Sequence, residues 1–199
     1  MNLDAAALLA GFGRSYLFVI AAVLPIINPA AVAPIFLTLT EGADAATRAG
    51  LARRIATNSF VLMLVVLLVG SYVLDFFGIS LPIVRLGGGL IVAAAAWRLL
   101  TADQDTSDNR QALAQAFTPE QAQRRAFYPL TFPITCGPGS ISAIITVGVS
   151  LHDSRTAYGV TNALGGAAAL ASLAALIYFT YRYAQQILRP LGETGTLVF

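Results

Sequence analysis

Five apolar runs, each long enough to cross a bilayer, constrain this chain more than any other feature. A span needs roughly 20 mostly apolar residues, and residues 16–39, 56–77, 81–100, 127–150 and 158–181 all qualify. In hydrocarbon every backbone N–H and C=O must find its partner within the protein, so isolated runs of this kind fold as helices. The second run carries VLMLVVLLVG without interruption. The third opens after Pro82, which suits a first helical turn, and closes at Trp97 and Arg98, an interfacial aromatic with a basic anchor. Only 11% of the residues are charged, against about 25% in a soluble domain, and the mean hydropathy is +0.73. The expected class is all-α, a polytopic membrane helical bundle.

Two of the runs are interrupted in the same way. Pro25, Pro29 and Pro34 lie in PIINPAAVAP, and Pro129, Pro133 and Pro138 lie in PLTFPITCGP, an offset of 104 residues at all three positions. Proline removes a backbone donor and clashes with the preceding turn, so both helices should be kinked or broken. Thr57-Asn58 recurs as Thr161-Asn162 at the same offset of 104. Three spans per copy is an odd number, so the second copy enters from the opposite face; this is an inverted-topology repeat. The expected organisation is a first repeat over residues 1–101, a polar cytoplasmic loop over 102–125 with a short surface helix near 109–117, and a second repeat over 126–199. The tail RPLGETGTLVF stops where a sixth span would begin, so the second repeat reads as incomplete and the sequence as truncated.

Arginine placement sets the expected orientation. Loops on one side collect Arg48, Arg53, Arg54, Arg98, Arg110, Arg124, Arg125, Arg182 and Arg189, and the other side holds Arg14, Arg85 and Arg155. The richer side is cytoplasmic by the positive-inside rule, which leaves the N-terminus periplasmic. Asp4 stands where a signal peptide would be basic, so residues 1–15 read as an uncleaved interfacial lead-in to the first span. Abundant alanine and the absence of lysine suggest a GC-rich bacterial genome, and the expected location is the inner membrane. A net charge of +2, scattered along the chain, excludes nucleic acid as a partner.

LPIINPAAVAPIFLTLT, FGISLPIVRLGGGLIVAAAAW and YPLTFPITCGPGSISAII, in that order, resemble the MarC family of bacterial and archaeal integral membrane proteins over nearly the whole chain. The resemblance implies six spans, periplasmic ends and an inverted repeat. It also implies similarity to SnatA-type carriers of small neutral amino acids, in which the broken first and fourth helices hold the substrate. This chain departs from that pattern in lacking the sixth span.

The residues themselves fit such a ligand. A zwitterion needs donors for its carboxylate and acceptors for its ammonium, and a helix broken mid-membrane offers both. Asn28, Pro29 and Ala30 form one candidate contact set, and Gly137, Pro138, Gly139 and Ser140 the other, with Ser140 expected to cap the following half-helix. Asn58, Asn162, Arg85 and Thr135 are second-tier candidates for a gate. Each has a plainer role as well: interhelical hydrogen bonds for the asparagines, snorkelling or carbonyl capping for Arg85, and bonding back to its own helix for Thr135, as for Thr38 and Thr131. Gly87-Gly88-Gly89 and Gly165-Gly166 should let helices pack closely.

No catalytic, metal or cofactor set is visible. The single histidine, His152, is in a loop, and the single cysteine, Cys136, has no second histidine to activate it, so an enzyme is not expected. The expected partners are a small-molecule substrate and the lipid bilayer, with homo-oligomerisation left open. A scaffold docking partners through residues 101–125 and a small-solute channel are the rival functions.

Overall fold

In a computed structural model, the structure describes residues 5–80, 126–151 and 156–188, together with scattered positions between 82 and 97. Most of the third span, Arg85, the polar loop, His152 and Asp153 lie outside the described residues. All regular elements among the described residues are helical. They are α1 (Ala5–Ile27), α2 (Pro29–Leu39), α3 (Ala45–Phe76), a wide-turn segment (Ala126–Thr135), α4 (Pro138–Ser150), α5 (Thr156–Arg182) and α6 (Ala184–Leu188).

Three helices are long and apolar enough to cross a membrane by themselves, and the wide-turn segment with α4 makes a fourth if the pair is one span. At 1.5 Å per residue, the 23 residues of α1 extend about 35 Å, more than a hydrocarbon core of about 30 Å. Large apolar side chains point outward along these helices, including Leu17 and Phe18 on α1, Val61, Val65, Leu68 and Val69 on α3, and Leu164 and Phe179 on α5. Such faces suit acyl chains as solvent. The chain is an integral membrane protein by this criterion.

Two helices begin earlier than their apolar runs. Residues 5–15, the expected lead-in, form the first turns of α1, because AAALLAGFG is rich in strong helix formers. α3 likewise starts at Ala45, so Arg48, Arg53 and Arg54 ride on helix. Asp44 caps it, its carboxylate accepting from the Thr47 amide at 2.9 Å. The hydrogen bonds from Thr47, through its hydroxyl and its amide, hold the Asp44 carboxyl below its ordinary value of 3.8.

The residues divide into two compact units. The first holds α1, α3 from Phe60 onward, α4 and α5 up to Leu173. α1 buries Ser15, Val19, Val23 and Ile27, a stripe of every fourth residue and so one face of the helix. Glycines permit the close crossings here. A Cβ on Gly148 would lie 2.5 Å from the Leu67 carbonyl oxygen, and one on Gly165 would lie 2.5 Å from that of Phe12. Gly165 and Gly166 therefore act as the sequence suggests; Gly87 has nothing within 4 Å among the described residues, and Gly88 and Gly89 lie outside them.

The second unit holds α2, α3 up to Ser59, the wide-turn segment, α5 from Ala174 and α6. α2 lays Pro29, Ala33, Phe36 and Leu39 on one buried face. Phe36 stacks on Tyr181 with ring centroids 4.8 Å apart and planes 13° from parallel. The Arg48 guanidinium closes the turn after α2, donating to the carbonyls of Ala43 at 3.0 Å and Thr40 at 3.4 Å. A cation placed there complements the negative end of α2.

Candidate functional site

The break in the first run falls at one residue. Pro29 has no N–H for the Pro25 carbonyl four residues back, and its ring disfavours helical geometry at Asn28. Asn28 takes φ 37° and ψ 69°, the one left-handed residue other than glycine among the described residues. Asparagine tolerates that region better than most side chains. It then serves as the N-cap of α2. Its carbonyl accepts from the amides of Ala31 at 3.1 Å and Val32 at 3.3 Å. Its side-chain oxygen accepts from Ala31 at 3.4 Å. Pro29 is buried at the first helical position, and exposed Ala30 carries an amide ahead of the first bonded one. Pro25 and Pro34 ride inside α1 and α2.

The second run is interrupted more often. Tyr128 (φ −117°, ψ 124°) and Phe132 (φ −119°, ψ 125°) are extended, each directly before a proline, as steric clash with the ring requires. The peptide bonds Tyr128–Pro129 and Phe132–Pro133 are cis. The turns between are wider than α-helical, and hydroxyls five residues on reach the carbonyls: Thr131 donates to Ala126 and Thr135 to Leu130, both at 2.7 Å. Thr38 similarly donates to the Pro34 carbonyl at 3.1 Å. All three threonines thus bond back to their own segment.

The helix restarts at Pro138. Gly137 is the N-cap, extended at φ −82° and ψ 175°, with no side-chain cap. The first amide bonded into α4 is that of Ile141, donating to Gly137 at 3.2 Å. The amides of Gly139 and Ser140 precede it, and Pro138 has none to offer. Ser140 is not the cap expected from the sequence. It occupies the third helical position, and its buried hydroxyl donates backward to the Gly137 carbonyl at 2.7 Å. Pro138, preorganised for a first turn, moves the start two residues upstream of Ser140. The two caps, Asn28 and Gly137, are therefore 109 residues apart, whereas the prolines repeat at 104.

Of the second-tier residues, Asn162 clamps the first unit. Its side-chain oxygen accepts from Ser15 of α1 at 3.1 Å, and its amide donates to the Leu151 carbonyl at 3.3 Å. It makes the interhelical bond that the sequence suggests. Asn58, 104 residues earlier, is half-buried on α3 and forms no such bond among the described residues. Thr135 is buried, and its hydroxyl lies 2.9 Å from that of Tyr181. Sequence reasoning missed Tyr181 and Ser15. Tyr181 resembles an interfacial aromatic at the end of a run, yet it is only 1% exposed. Ser15 could have been flagged as a polar residue four before Val19 on the buried stripe.

This arrangement of apolar helices and proline-started half-helices accompanies a family match. The model of the MarC family integral membrane proteins matches residues 14–199. The chain belongs to the MarC family. It is 30% identical over 174 residues to the inner membrane protein MarC of Escherichia coli O139:H28, covering 86% of this chain and 79% of that protein. The MarC proteins of Escherichia coli K12 and Shigella flexneri match with the same identity and coverage. No solved structure matches the chain. The MarC match spans both breaks, since Asn28 and Gly137 lie within residues 14–199.

Proposed function

We propose that this inner-membrane protein carries small neutral amino acids of the glycine and alanine class, with the backbone at the two helix restarts, Asn28–Ala30 and Gly137–Ser140, as the substrate contacts. The observation that supports this best is the start of α4: an extended glycine cap, a proline without an N–H, and the amides of Gly139 and Ser140 ahead of the first helical bond. Such amides attract a carboxylate, aided by the positive end of the helix dipole. The absence of a side chain on Gly139 lets a ligand approach the backbone closely. At Asn28 the carbonyl end of α1 offers acceptors of the kind an ammonium needs.

Within the same reading, the residues form two repeats, 1–101 and 126–199, of opposite orientation, with the N-terminus periplasmic. Proteoliposomes containing the purified chain should show saturable uptake of radiolabelled alanine or glycine. Gly139→Val should abolish flux while leaving membrane insertion intact. Absence of binding and flux for all small amino acids would overturn the carrier reading and favour a scaffold. Flux that does not saturate would favour a channel.

A further inference from the structure

The second unit contains a groove that the carrier reading does not use. It lies between α3 and α5, has a volume of about 440 Å³, and is lined by Arg53, Ala56, Thr57, Ala174, Ala175 and Tyr178. Its floor is made of alanines, so the two helices leave a trough where larger side chains would have closed the surface. Its rim is different. Arg53 is exposed, and among the described residues the lining holds no acidic side chain to neutralise it. Thr57 turns its hydroxyl back to the Arg53 carbonyl at 3.0 Å and so does not occupy the guanidinium. A second cation stands close by: the Arg182 guanidinium is 5.9 Å from the centre of the Tyr178 ring. Arg48 and Arg54 lie within two turns of Arg53 on α3. The groove is thus open and about one helical turn long, with alanines on its floor and a cation at its rim.

We propose that this groove binds an anionic diacyl phospholipid, with one acyl chain along Ala56, Ala174 and Ala175 and the phosphate on Arg53 beside the Tyr178 hydroxyl. The chemistry matches at both ends. A segment of an acyl chain can pack on the three alanines, and a guanidinium is the best single donor for a phosphate. The arginine stem can lie on the apolar wall with its head at headgroup depth. Basic pockets between membrane helices recognise acidic headgroups in this manner. A free phosphate would gain nothing from the trough, and a zwitterionic lipid would bring its own cation against Arg53.

The test uses the purified full chain in nanodiscs or detergent and reads retained lipid by native mass spectrometry, with phosphatidylglycerol and phosphatidylcholine of identical acyl chains. Phosphatidylglycerol should be retained preferentially. Arg53→Gln should weaken it about fivefold, the effect of one basic residue at an anionic surface. Ala175→Leu, at an exposed position of the trough, should reduce retention by filling the groove. Arg54→Gln, one residue away but outside the lining, should weaken retention less than Arg53→Gln does. Equal retention of the two lipids would overturn the proposal, as would equal losses in the Arg53 and Arg54 variants, or displacement of the lipid by inorganic phosphate alone. None of these readouts depends on amino-acid transport.

Discussion

Replacing Gly165 by alanine provides a stringent test of the helix packing. In an open helix the change should help, because glycine is about 1 kcal/mol worse than alanine in a helix interior. At Gly165 the new Cβ would lie 2.5 Å from the Phe12 carbonyl oxygen and 3.1 Å from the Ser15 Cβ, where ordinary contact begins at 3.4 Å. The shortfall of about 0.9 Å is against backbone, which no rotamer change relieves. α1 and α5 must therefore separate. If that displacement falls along the Ser15–Asn162 bond, its 3.1 Å becomes about 4.0 Å and the bond is lost. Overpacking of this kind costs about 1–3 kcal/mol, and the lost interhelical bond adds about 0.6 kcal/mol. Gly13→Ala, on the same α1 helix with nothing within 4 Å, is the control and should be neutral or slightly stabilising. Cys136, buried and the single cysteine of the chain, allows unfolding to be followed by a thiol-reactive dye during heating. Ser15→Ala should cost less in the Gly165→Ala background than in wild type. A Gly165→Ala protein that melts with or above Gly13→Ala would refute the close crossing.

Four further outcomes follow from individual contacts. Tyr181→Phe keeps the stack on Phe36 but loses the hydroxyl pair with Thr135, and should cost about 1 kcal/mol in the same melting assay. Asn28→Gly should be nearly neutral, because glycine accepts the left-handed conformation; Asn28→Ala combines that strain with loss of the cap and should cost about 1–2 kcal/mol. Among the described residues the buried Ser59 hydroxyl has no hydrogen-bond partner, so Ser59→Ala should raise the melting temperature. Because the folded Asp44 carboxyl sits below its ordinary value of 3.8, its contribution is complete above that value and disappears as pH falls through the folded one. Asp44→Ala should therefore melt earlier than wild type at neutral pH, and the two melting curves should converge in acid.

The proline triplets show how far sequence reasoning reaches. A proline says where a helix cannot continue unchanged, but three in a row do not say which one starts the next helix. The start depends on which preceding residue can leave helical geometry at least cost. Asn28 does so in the left-handed region and Gly137 in the extended one, and the caps consequently lie off the proline register. Asn58 and Asn162 make a similar point. They share the 104-residue offset, yet among the described residues only Asn162 meets a serine on a neighbouring helix, and nothing in either local sequence distinguishes them.

Apolar length alone determined that this chain forms membrane helices, because backbone polar groups in hydrocarbon permit little else. Proline and glycine chemistry determined that two of those runs are interrupted. Tertiary structure decided which residue caps each restart, that Ser140 donates backward instead of capping, and that Gly165 lies against the Phe12 backbone. It also decided that Arg53 stands over an alanine trough. The reason is the same in each case: local sequence limits the backbone conformations a residue can adopt, but the atoms it meets are supplied by segments remote in the chain.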